Sequence, residues 1–277
     1  MSQNFPADGV RRRKLMLLVL PILAFLVVST GCGQDRVAGG TGAGNPDASI
    51  ALRILATTKT VAAARTALVP VDTGLVLRDS GGLEFRPNRV RAWVDRIEVD
   101  LPGNAQCPDS KGSDSCEVGT LWRDQGRVWD LVRGVPDSLQ TPFLLPSGTY
   151  RTLRIRFDKP GGSDVSKSDC LSGRSFCLEG TFLRLGVVRP FRLQVALQQK
   201  LVFADSTGIS IAPGSSRLSA LLGIGKWLSS LDVGNCLDGG SLPAGTDTLV
   251  IDRDFPCGNF EDGLNMQFGQ SQDLQGD

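Results

Sequence analysis

The strictest constraint on this chain is a period of two. In the stretch Leu144–Phe157 (LLPSGTYRTLRIRF), Leu153, Ile155 and Phe157 share one parity, while Thr152, Arg154 and Arg156 take the other. Successive side chains of a strand point to opposite faces, so this stretch reads as a strand with one buried and one wet face. Pro146 and Gly148 supply the turn that feeds it. The pattern returns in Asn88–Leu101 (NRVRAWVDRIEVDL), where Val90, Ala92 and Val94 share one parity and Ile97, Val99 and Leu101 the other. One extra residue produces such a switch, which predicts a β-bulge near Asp95–Arg96. Phe191, Leu193, Val195, Leu197, Leu201 and Phe203 keep one parity throughout and read as the longest strand.

Weaker signals fill in the rest. Ile50–Ile54, Leu75–Arg78 and Thr248–Ile251 read as short strands, and Ala62–Arg65 as a short crossing. Leu121–Arg123 and Arg127–Val132 read as a hairpin turning at Asp124–Gly126, with Trp122 and Trp129 in the core. Arg217–Leu231 reads as a strand to Ile224 followed by one helical turn carrying Trp227. Many short strands in a chain with Gly 33 and Pro 15 predict an all-β fold, an antiparallel β-sandwich over residues 50–235 with polar insertions. Residues 236–277 then form a small extension, with a disordered end from about Gly269. Apolar residues at 41% and charged residues at 21% are sufficient for a buried core.

Residues 1–31 read as a signal peptide. Arg11–Lys14 precede the apolar run Leu15–Val28, and Ser29, Thr30 and Gly31 lead to Cys32. The run is shorter than the roughly 20 residues of a spanning helix. V-S-T-G-C resembles the lipobox of bacterial lipoproteins, with Ser29 where leucine is commonest, and the resemblance implies lipidation at Cys32. An ordinary signal peptide or an uncleaved anchor is the alternative. Residues 32–49 are rich in Gly, Ala and polar residues and read as a flexible tether. Its G-A-G-N-P piece resembles the tethers of uncharacterised envelope lipoproteins. Gly33 in place of Asp resembles lipoproteins sent on to an outer membrane, where the cell has one.

Seven cysteines less a lipidated Cys32 leave six, an even number in an exported chain. Six allow 15 connectivities. The spacings favour the local pairs Cys107–Cys116, Cys170–Cys177 and Cys236–Cys257, each closing a loop of Gly, Asp and Ser that has little apolar content to order it. No C-x-x-C occurs, so the cysteines do not read as a metal site.

The chain has no histidine, which removes Ser-His-Asp and Cys-His catalysis and the usual zinc sites. Its net charge is +1, and the first 31 residues carry Arg11, Arg12, Arg13 and Lys14 against Asp8, so the remainder is slightly acidic. That balance speaks against nucleic acid as a partner. Paired carboxylates are the chemistry left open: Asp95 with Glu98, or Glu84 with Asp130, as acid and base of a glycosidase. With 29 carboxylates such pairs arise by chance, so the chain does not read as an enzyme and no cofactor is expected. Asp252, Asp254 and Asp262 lie near Asn259 and Asn265, oxygen ligands of the kind calcium uses. Their spacing departs from the calcium-loop pattern, so no metal is assigned. Arg151, Arg154 and Arg156 form either a basic ridge for an acidic partner or a charged wet face that discourages edge aggregation.

L-P-x-G-x-Y-x-x-L at Leu145–Leu153 resembles the turn-and-strand signature of prealbumin-like bacterial β-sandwich modules, which implies that the tyrosine packs over the sandwich end. Trp93 with R-I-E-V-D, then W-D-L at Trp129–Leu131, then L-P-S-G-T-Y resemble in that order a bacterial lipoprotein domain of unknown function, over roughly residues 75–205. The expectation is a lipid-anchored, extracytoplasmic protein of the cell envelope. Its role is binding or structural, with the membrane and an envelope polymer or protein as partners. The rival readings are a carboxylate glycosidase and a passive surface-coat component.

Overall fold

A computed structural model describes residues 50–58, 74–103, 114–117, 120–123, 126–137, 144–211, 217–240, 247–258, 260–261, 264 and 272–276. The leader, Cys32, the tether, the Ala62–Arg65 crossing, the side chain of Trp122 and the Cys107–Cys116 pair lie outside the described residues.

The long strand β3 (Glu84–Asp100) is the hub of an all-β sandwich. Its first half pairs antiparallel with β10 (Phe176–Arg184), and its second half with β9 (Gly148–Phe157). The register shifts between Val94 and Arg96, which places the bulge at Asp95, where the parity switch puts it. Val90, Ala92 and Val94 are buried before it, and Ile97 and Val99 after it. From β9 the sheet continues to β12 (Gln199–Ile211), and from β10 to β11 (Val187–Val195) and β14 (Leu249–Ile251). The second sheet runs β15 (Gln272–Gly276), β13 (Arg217–Gly223), β1 (Ile50–Thr57), β8 (Leu144–Leu145). One contiguous core takes Leu52 and Ile54 from β1 and Leu218 and Leu222 from β13, together with Leu153, Ile155 and Phe203 of the larger sheet. Its aromatic spine is Phe157 on Phe176 (centroids 4.7 Å) and Phe176 edge-on to Trp227 (5.2 Å). Each such ring contributes roughly 1.5–3 kcal/mol through burial.

The β9 turn is built as its sequence requires. Gly148 has φ 150°, and a Cβ there would lie 2.3 Å from Pro102. Tyr150 is fully buried and its hydroxyl donates back to the Pro146 carbonyl, the arrangement of a tyrosine corner. Burial pushes its phenol well above the usual value.

Five expectations are corrected. β5 (Thr120–Arg123) and β6 (Arg127–Asp130) do not form a hairpin; each pairs with its own part of β3, at Ile97–Asp100 and Arg91–Val94. The segment Phe191–Phe203 is two strands, because β11 pairs with β10 whereas β12 pairs with β9. The break at residues 196–198 is fixed by Glu261, which accepts the Ala196 N–H at 2.7 Å. The pairings are not all antiparallel, since β1–β13 and β11–β14 are parallel. The chain end is not a disordered tail throughout, because β15 pairs antiparallel with β13. Strand β10 and its hairpin with β11 have no counterpart among the expected strands. After β13 the chain makes the expected turn, with Trp227 buried and its N–H on Ile224. A short helix follows, α1 (Val233–Asp238), capped by Asp232, which accepts the Asn235 N–H.

Candidate functional site

The carboxylate pairs that the sequence leaves open as acid and base each have other partners. Asp95 lies 3.3 Å from Arg156, and Glu98 is held by Lys200 at 2.9 Å. Glu84 pairs with Arg78 and Arg86, whose guanidinium groups hold its carboxyl below the usual range. Asp130 accepts the N–H groups of Val132 and Arg133 in a turn. A cavity beside the bulge, lined by Asp95, Arg96, Arg123, Arg127 and Trp129 among others, measures about 10 Å³. That is about the space of one water molecule.

The arginine ridge is largely neutralised in place. Arg154 grips Asp100 with two bonds of 2.7 and 3.0 Å, and Arg156 reaches Asp95 and Asp158. The face therefore carries cross-strand ion pairs of the kind that stabilise a wet sheet surface. Of the calcium-type residues, Asp252 accepts the Asp254 N–H and lies 3.7 Å from Arg174. Asn259, Asp262 and Asn265 lie outside the described residues. Ligand atoms of Cys170, Cys177 and Glu179 lie within 4.8 Å of one another, but the two sulfurs are bonded to each other, which removes the thiolates a metal would need.

The polar loop between β9 and β10 is pinned at its base. Cys170 and Cys177 sit at disulfide distance (S–S 2.21 Å, Cα–Cα 6.0 Å). Cys236 and Cys257 are likewise paired, with Cα atoms 5.8 Å apart. Arg91, on the outer face of β3, is buried and makes a bidentate pair with Asp169 (2.9 and 3.0 Å). Burial raises the Asp169 carboxyl, but its bonds to Arg91 and to the Leu171 N–H outweigh this and leave its pKa below the usual value. A depressed folded-state pKa contributes stability that is present above the unfolded value and lost as pH falls through the folded one. The gap in unfolding free energy between wild type and Asp169→Asn should thus be widest at neutral pH and close below about pH 4. Urea melts of both proteins across that range check this; a gap independent of pH would refute it.

One surface feature has no structural partner among the described residues. The β10–β11 hairpin turns at Leu185–Gly186, with φ of 50° and 77°. Two left-handed residues in succession are what a type I′ turn requires, and Asn-Gly is the usual occupant. A leucine there costs roughly 1–2 kcal/mol of backbone strain. It is also 90% exposed. Around it Leu183, Val187 and Val188 are 58%, 51% and 66% exposed. Leu183 and Val188 are cross-strand partners on one face, whereas Val187 pairs with Arg184 on the other. At the base, Phe182 packs on Phe85 and Arg184 pairs with Asp238 of α1.

No family model, curated protein or solved structure matches this chain.

The hairpin tip is thus the candidate functional site. Sequence reasoning passed over it although a signal was present: R-L-G-V-V-R at Arg184–Arg189 places a glycine between apolar residues of both parities. Apolar residues of both parities usually mark a strand buried on both faces. Here they mark a tip that no other described element covers.

Proposed function

We propose that this chain is a lipid-anchored protein of the bacterial cell envelope, with a prealbumin-like β-sandwich that binds a partner through the β10–β11 tip. The observation that carries the binding role is that tip, which gathers four of the six exposed large hydrophobic side chains among the described residues. Scattered apolar residues on a surface need no explanation, but a contiguous group at one end does. The address rests on V-S-T-G-C behind a basic and apolar leader, and on cysteines that remain even in number once Cys32 is set aside. The L-P-x-G-x-Y turn with its tyrosine corner supports the domain type.

Metabolic labelling with a fatty-acid analogue tests the anchor. Wild type is expected to take up label and to need detergent for extraction, and Cys32→Ser to take up none. A Cys32→Ser protein that is labelled and processed as wild type would overturn the lipoprotein reading.

A further inference from the structure

Three features of the tip narrow the partner. First, it is a wedge two strands wide, with aliphatic groups on both faces and at the apex. A stable protein–protein interface needs about 800 Å² from each partner, commonly a broad and flat patch. A bilayer can instead close around a narrow projection on every side. Second, Leu183 and Val188 lie two residues from the apex, which at about 3.3 Å per residue makes the apolar part roughly 7–8 Å deep. Interfacial membrane-binding elements bury their apolar face by about 5–10 Å. Third, residues 183–189 hold two arginines and no acidic residue; Arg184 is paired with Asp238 of α1, which leaves Arg189 as the cation of the tip. Arg189 is exposed on the face of the hairpin that carries Val187.

We propose that the β10–β11 tip inserts into the headgroup and acyl boundary of an anionic bilayer. Leu183, Leu185, Val187 and Val188 enter the apolar layer, while Arg189 meets a lipid phosphate. Half of the tip's backbone groups pair across the hairpin, and those on its two outer edges lie at the depth of the headgroups, where water still bonds them. The left-handed Leu185 puts its aliphatic side chain where a turn would ordinarily carry a polar one, and its strain then serves the contact. This deepens the lipid-anchor reading and rests on it only for proximity: a tether of residues 33–49 reaches at most about 60 Å, which keeps the sandwich at a high effective concentration near the bilayer.

The experiment uses the full chain as isolated with its lipid, reconstituted into vesicles of phosphatidylglycerol or of phosphatidylcholine. An environment-sensitive fluorophore is placed at Leu185→Cys or, as control, at the exposed loop position Ser163→Cys. Blue-shifted emission and quenching by spin-labelled lipid are expected at 185 and not at 163, more strongly in phosphatidylglycerol. Protein that floats with vesicles while position 185 stays water-exposed overturns the wedge and leaves the anchor standing; a protein partner or a second copy is then the occupant. Protein that neither floats nor responds at 185 overturns both. Insertion at 185 by a chain whose mass shows no lipid overturns the anchor alone. Equal insertion in the two lipids overturns the Arg189 contact.

Discussion

Ile155→Asp should unfold the sandwich. Ile155 is fully buried in the middle of β9, opposite Ile97 of β3 and Leu201 of β12. The substitution forfeits about 2–3 kcal/mol of apolar burial. It also strands a carboxyl group among aliphatic side chains, which costs several kcal/mol more whether the group stays ionised or takes up a proton. Against a total stability of about 5–15 kcal/mol, the sum leaves little or nothing folded. The neighbouring Arg154 faces water, and Arg154→Ala removes a partly exposed pair with Asp100. Such pairs contribute about 1 kcal/mol or less. Circular dichroism with thermal melts of both variants decides it: comparable losses at the two positions would mean that β9 does not have one buried and one wet face.

Gly180→Ala should be the most damaging single methyl group in the larger sheet. A Cβ at Gly180 would stand 2.2 Å from the carbonyl oxygen of Arg86 and 2.6 Å from the Cα of Pro87. These are backbone atoms of β3 and cannot rotate away as a side-chain end would. The site is also where β10 and β3 change register, Glu179 facing Arg89 and Gly180 facing Pro87. Pro87 has no N–H to offer the ladder, so the irregularity and the absent Cβ belong together. Relief requires the two strands to part, a loss of about 3 kcal/mol by the measure of overpacked cores. Gly162→Ala is the control, since nothing lies within 4 Å of a Cβ there. Urea unfolding should separate the two variants clearly; equal midpoints would show that β10 and β3 can part at no cost.

Much of the sandwich is legible without a structure, because burial by parity is a local property of a strand. The alternation in Leu144–Phe157 names the residues that end up buried in β9, and the parity switch after Val94 locates the bulge at Asp95. Turn chemistry is equally local: Gly148 and Tyr150 specify the corner before β9, and Gly223 with Gly225 bring β13 to its end before the turn that carries Trp227.

Partner choice is not local. Alternation says which face is buried but not which strand lies alongside, so Phe191–Phe203 keeps one parity while passing from β10's side to β9's. The same blindness hides the separate docking of β5 and β6 on β3, and the parallel pairing of β1 with β13 far along the chain. Charge follows the same rule. In the sequence, Arg154 and Arg156 fit either a basic ridge or a charged wet face, and only the neighbouring strand β3 supplies the Asp100 and Asp95 that pair with them. Four aliphatic residues around Gly186 look like core in a linear reading. Whether they are covered depends on what packs against them, and in the folded chain the elements over Phe182 stop short of the tip.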